Sequence, residues 1–212
     1  MAPNAGQLIA QEGAAAKALG FPTGDVFYVD SANGSNGNDG LTKRHPFLTL
    51  TYALTKVAAG DTVVLNPGGS ETVTATIAAN VARVKLVCPV RNPRSGYTIS
   101  GAGTLALMTV TAADVHLEGL RFAKTGTTSA AGSGILTTNA ADRLTVRRCM
   151  FDDSAISTTF EGIGVNVVNA CDDVLIEESL FLDCRPGVAF TIATGIVCAR
   201  PRIDRCTFFI GK

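Results

Sequence analysis

The 212-residue chain has no tryptophan, only two histidines and few charges, with Asp, Glu, Lys and Arg together at 17%. Eighteen basic residues balance eighteen acidic ones, so the basic surplus expected of a nucleic-acid partner is missing. No apolar run reaches the roughly 18 residues of a membrane-spanning helix. The first residues lack the basic start and continuous apolar block of a secretory signal, so synthesis in a cytoplasm without export is expected. The six cysteines (Cys88, Cys149, Cys171, Cys184, Cys198 and Cys206) contain no Cys-x-x-Cys pair, which argues against zinc. His45 and His116 lie far apart, and neither sits beside a partner that would make a nucleophile. Also missing are the paired Ala/Leu/Glu/Lys-rich segments of helical repeats and the Leu-x-x-Leu-x-Leu ladder of leucine-rich repeats.

What the chain does have is glycine, 22 residues of it, and a unit written four times. Leu117 to Phe122 reads LEGLRF, Val146 to Phe151 VRRCMF, Ile176 to Phe181 IEESLF and Ile203 to Phe208 IDRCTF. The phenylalanines Phe122, Phe151, Phe181 and Phe208 are 29, 30 and 27 residues apart. Gly134-Ile135, Gly164-Val165 and Gly195-Ile196 recur between them, and Asn139 to Asp142 matches Asn169 to Asp172. A fixed period of this length marks a stacked array. Apolar and polar residues alternate within each unit, the period-2 signal of strands.

These features predict an all-β fold, a right-handed single-stranded parallel β-helix of about six coils. Each coil has about three short strands, and coils stack at roughly 4.8 Å. Phe122, Phe151, Phe181 and Phe208 are expected to form a ladder in the core. Cys171 and Cys198 each lie five residues before an aliphatic anchor and should stack. Cys149 and Cys206 share another column with Ser179 between them. The cysteines read as small buried thiols.

The organisation expected is an arm over residues 1–24 and a β-helix over 25–212. The arm is Ala-rich, with Leu8, Ile9 and Leu19 as candidate anchors for docking on a partner. Thr49 to Ala59 reads as a short helix that plugs the open end of the array. The stretch Phe27 to Leu65 carries Tyr28-Val29, the loop Asn38-Asp39-Gly40-Leu41, Pro46-Phe47-x-Thr49, Ala53-Leu54 and Gly60-Asp61-Thr62-Val63. This order resembles the opening segment of pectate-lyase-like parallel β-helix proteins. The resemblance implies the fold. Its relatives include polysaccharide lyases, glycoside hydrolases, bacterial surface proteins and bacteriophage tail spikes, so it does not choose an activity.

The lyase resemblance implies stacked acids that hold calcium, with an Arg or Lys base beside them. Candidate acids are Asp152, Asp153, Asp172, Asp173, Asp183, Glu177 and Glu178, and candidate bases are Arg147, Arg148 and Arg185. For an enzyme the set is Asp152, Asp183 and Arg185, because Asp152 and Asp183 follow the phenylalanine column on successive coils. Two such carboxylates would also suit a glycosidase. Turn chemistry explains Asp142, Asp172 and Asp173 equally well. No metal or other cofactor is expected, nor is calcium in the Asp30 to Asp39 loop.

The chain ends at Phe208-Phe209-Ile210 without a polar final coil, so Ile210 is expected to be covered by assembly. The sequence reading is therefore a non-catalytic structural protein of a virus particle: a bacteriophage head decoration, spike or tail component. Its expected partners are itself, as a homotrimer, other virion proteins through residues 1–24, and a host surface glycan. The expected location is the virion, with no nucleic-acid or membrane partner. The alternatives are a polysaccharide lyase or glycosidase of tail-spike type, and a carbohydrate-binding module.

Overall fold

The computed structural model describes residues 24–102, 104–125, 132–138, 140–153, 162–168, 170–191 and 198–210. Leu8, Ile9, Leu19 and nearly all of the expected arm therefore lie outside the described residues. So do most of the loops expected at 125–132 and 152–159.

The strands form three sheets. Sheet A runs β1 (Val26–Val29), β2 (Thr62–Leu65), β5 (Lys85–Val87), β8 (His116–Glu118), β11 (Thr145–Arg147), β14 (Leu175–Glu177) and β17 (Arg202–Asp204). Sheet B runs β3 (Ser70–Val73), β6 (Tyr97–Ala102), β9 (Leu120–Thr125), β12 (Met150–Asp152), β15 (Leu180–Leu182) and β18 (Thr207–Phe209). Sheet C runs β4 (Ile77–Ala79), β7 (Met108–Val110), β10 (Ser133–Thr137), β13 (Ile163–Val168) and β16 (Val188–Thr191). Every strand pair is parallel. The chain visits A, B and C in turn, and each pass, here called a level, pairs with the level before and the level after. The fold is all-β and parallel, with almost no helix.

The two sequence repeats interlock in the core. Phe122, Phe151, Phe181 and Phe208 are register partners in sheet B. Their rings stack at centroid distances of 5.2, 4.8 and 4.7 Å, within 10° of parallel. The glycines of sheet C make room for them. A Cβ on Gly134 would lie 2.7 Å from Phe151, and one on Gly164 2.6 Å from Phe181. Phe122, Phe151 and Phe181 are buried, whereas Phe208, on the last strand, is 51% exposed. Leu86, Leu117, Val146 and Ile176 make the matching inward column of sheet A.

All six cysteines carry free thiols. Cys198 stacks on Cys171, its Sγ donating to the Cys171 carbonyl at 2.6 Å. Ser179 Oγ accepts the Cys149 amide at 3.2 Å.

The corners depart from the Asn/Gly turns that the sequence suggested. Charged residues hold the left-handed positions instead. Before sheet A, the column Arg83, Asp114, Arg143, Asp173, Arg200 has φ between 53° and 62° at every member. Its backbone amides climb the stack, from Arg83 to Ala113, Asp114 to Asp142, Arg143 to Asp172 and Asp173 to Ala199. The signs alternate, and each left-handed acid is bridged from the next level: Arg143 to Asp114 at 2.5 Å and Arg200 to Asp173 at 2.6 Å. After sheet A, Gly119, Arg148, Glu178 and Arg205 form a second such column. Arg205 reaches Glu178 at 3.1 Å and Glu177 at 3.3 Å, and Arg148 pairs with Glu118.

The expected capping helix is shorter than Thr49 to Ala59. Helix α1 (Leu50–Ala53) has Thr49 as its N-cap, whose Oγ1 accepts the Tyr52 amide at 3.1 Å. The turns that follow break the helical pattern: the Thr55 and Lys56 amides bond back three residues, to Tyr52 and Ala53. Leu50 and Ala53 are fully buried, so α1 still packs on the stack as a plug.

Candidate functional site

The corner where sheet B passes to sheet C gathers the polar groups that the core does not explain. Strand β9 alternates, so Leu120, Phe122 and Lys124 point inward. Lys124 is consequently 2% exposed. Asp152 opposes Ala123 on one side and Leu182 on the other, so the next column holds Lys124, Asp153 and Asp183. The Asp153 amide donates to the Leu182 carbonyl at 3.1 Å, which fixes that register. Asp153 is 2% and Asp183 5% exposed.

Burial and like charge tune this column. Burial, seconded by Asp152 and Asp183, pushes the Asp153 carboxyl up to about 6, against the pull of Lys124. Burial pulls the Lys124 amine down, with Asp153 and Cys184 opposing. Burial and the same carboxylates push the Cys184 thiol up, so it is no nucleophile near neutral pH. Asp153 Oδ2 has no hydrogen-bond partner among the described residues. A Cβ on Gly162 would sit 1.6 Å from that oxygen, so the carboxylate fills the space where Gly162 has no side chain.

Asp183 also faces outward. With Arg94, Leu180, Leu182, Thr207 and Phe209 it lines a groove of about 400 Å³ on the outer face of sheet B. Leu180 and Leu182 give it an apolar floor, Phe209 an aromatic ring that is 58% exposed, and Arg94 a cation. This combination of apolar surface with a few convergent polar groups is that of a ligand site.

The expected enzyme residues separate. Asp152 is held by Arg121, whose guanidinium donates to Oδ2 at 2.6 Å. The register partner of Asp183 is Asp153, not Asp152, because Asp183 stands two residues after its phenylalanine and Asp152 only one. Arg185 is exposed and precedes a cis peptide to Pro186, and its amide donates to the Gly162 carbonyl at 3.1 Å. Arg147, Arg148, Glu177 and Glu178 join the ion pairs beside sheet A. Asp172 accepts the Ala199 amide at 2.7 Å, and Asp142 accepts that of Asp172 at 2.9 Å. Ile210 is 53% exposed. Asp30 is occupied with the amides of Ala32 and Asn33 and the side chain of Asn33, which holds its carboxyl below its usual range. Lys124 and Arg121 were missed. The alternation LRFAK places Lys124 on the inward face beside Phe122, which was the readable signal.

The acids do not suit the calcium that the lyase resemblance implied. Asp152 is neutralised by Arg121 and Asp153 leans to its neutral form. Among the described residues no three His, Cys, Asp or Glu side chains converge as metal ligands.

No family model matches the chain, and no curated protein does. Among solved structures, a rhamnogalacturonan lyase matches over 88% of this chain and 52% of its own, with a TM-score of 0.65 and 16% identity. A lacto-N-biosidase from Eubacterium ramulus matches over 84% of this chain and 46% of its own, with a TM-score of 0.33 and 12% identity. The chain thus spans about half the length of the structures it matches. The first match agrees with a pectate-lyase-like fold. It also overturns the expectation of a non-catalytic structural protein of a virus particle, since the likeness runs to a polysaccharide lyase. The tail-spike part of the resemblance finds no support in it.

Proposed function

We propose that this chain is a glycan-cleaving protein of the polysaccharide-lyase kind. Its scaffold is a right-handed single-stranded parallel β-helix of about six coils, with a short capping helix and a preceding arm. The winding from A to B to C supports the coil reading, and the fold likeness to a rhamnogalacturonan lyase supports the lyase reading. The observation that carries the function is the placement of Asp183. It lines the groove with Arg94 and Phe209, and it continues inward into the Lys124–Asp153 column.

The chemistry follows from that placement. A sugar ring lies on Phe209 and the apolar floor, and Arg94 receives the carboxylate of an acidic sugar. Asp183 takes the proton on the carbon next to that carboxylate. The electron pair forms a carbon–carbon double bond, and the glycosidic C–O bond β to the carboxylate breaks. The leaving oxygen takes a proton from water, and Asp183 returns its own to water. The balance is one unsaturated end and one new hydroxyl end. The buried charges behind Asp183 set its electrostatic environment.

The test is incubation with a panel of acidic polysaccharides, followed by ultraviolet absorbance of unsaturated ends. Wild type should produce them and Asp183→Asn should not. Reducing ends without unsaturation would make the protein a glycosidase. Binding without cleavage would make it a carbohydrate-binding module, and neither cleavage nor binding across the panel would refute the reading.

A further inference from the structure

The last level of the stack is built to receive another level, and its charges say which kind. Strands β16, β17 and β18 are the terminal strands of their sheets, so one rim of each has no strand beyond it. Ile203 belongs to a column whose lower members are fully buried, yet it is 46% exposed. Phe208 stacks on Phe181 at 4.7 Å and shows its other face to solvent. These inward-facing side chains lack only a level above them.

Both left-handed columns reach this rim with the same sign. The first runs Arg83, Asp114, Arg143, Asp173, Arg200, and the second closes on Arg148, Glu178, Arg205. Arg200 is anchored from below by Asp173, at 2.6 and 2.7 Å, and Arg205 by Glu177 and Glu178. The rim therefore presents two arginines in fixed positions, flanking an apolar strip.

A second copy of this chain does not fit there. Meeting rim to rim, it would set Arg200 and Arg205 against the same arginines. Its opposite end is covered by α1, where Leu50 and Ala53 are buried, and by the loop that pairs Phe47 with Val29. We propose that the rim is a docking surface for a parallel β-level of complementary chemistry. That level carries an aliphatic side chain over Ile203, an aromatic one over Phe208, and an acidic residue at each left-handed corner over Arg200 and Arg205. This inference does not depend on the activity proposed above.

The experiment uses the full chain with one level added. A copy of residues 184–197 is appended to complete the last pass through sheet C, followed by a copy of residues 170–182. The copied Asp173 and Glu178 then fall over Arg200 and Arg205. A matched extension carries Arg at those two positions. The acidic extension is expected to raise the thermal midpoint by about 4 °C or more and to abolish apolar-dye binding at the rim. The arginine extension should do neither at low salt and should partly recover at high salt. Equal behaviour of the two extensions would overturn the charge rule. An acidic extension that stays protease-sensitive and leaves dye binding unchanged would overturn the docking surface itself. Sedimentation of the parent chain as a dimer that the acidic extension turns into a monomer would make a second copy the occupant, against the proposal.

Discussion

Glu71 stands on β3 at the position that Ile99 and then the phenylalanines hold on later strands of sheet B, and its carboxylate binds the Leu50 amide at 2.8 Å. The same side chain accepts the Thr51 hydroxyl at 2.5 Å and faces the Tyr97 hydroxyl at 3.4 Å. One acid at the foot of an apolar column thus ties the plug helix to the stack. A helix this short has no internal amide partners at its start, so these bonds replace them. Glu71→Ala should lower stability by about 1 to 3 kcal/mol in denaturant titrations, and Glu71→Gln should cost less. Equal stability of Glu71→Ala and wild type would show that α1 is held by packing alone.

The phenylalanine and glycine repeats should fail together. Phe181→Ala is expected to cost about 3 to 5 kcal/mol. Gly164→Ala places a methyl 2.6 Å from the Phe181 ring and should also destabilise. In the double variant the new methyl meets the space that the ring has left, so the two costs should fall short of adding. Strict additivity by thermal or chemical denaturation would contradict the interlock.

Asp153 gives stability an acid-side slope of unusual sign. Its folded carboxyl titrates near 6, against 3.8 as the reference value. Between those values the folded state holds a proton that the unfolded state has released. Stability from this group is therefore full below about 4 and lost as pH rises through about 6, to the extent of about 2 kcal/mol. Asp153→Asn should remove that fall between pH 4 and 6. An identical pH profile for the variant would mean that the corner does not shift this carboxyl.

The corner ladder predicts a salt effect. Asp173→Arg would line up positive charge with Arg143 and Arg200 and should lower the thermal midpoint, most at low ionic strength. Adding Arg200→Asp to it restores one bridge and should recover part of the loss. A midpoint unaffected by salt in the single variant would remove the electrostatic reading of the column.

The sequence made the parallel all-β stack legible because stacking repeats the same environment. Phe151 and Phe181 recur at the level spacing, and period-2 alternation gave the strand character. Helix α1 was overextended because the apolar residues Tyr52, Leu54 and Val57 imitate a helical face, while turns end the helix at Ala53. The site was half legible. Asp183 was named, but a one-residue difference in the distance to the phenylalanine hid its true neighbour, Asp153. Lys124 was passed over, although β9 alternation puts it inward, because a lysine ordinarily reads as surface. The left-handed arginines and aspartates were unreadable as corners, since turn propensity favours Asn and Gly there, and only cross-level pairing accounts for the charged choice.

That alternating column also sets a parity on the length of the stack. Arrays of this kind lengthen by duplicating a unit and shorten by losing one. Here the loss of the single unit that carries Arg143 would bring Asp114 against Asp173, two acids at one corner. The loss of two neighbouring units keeps unlike charges in contact. The corner charges therefore favour a lineage that gains and sheds its units in pairs, with the hydrophobic interior indifferent to the count.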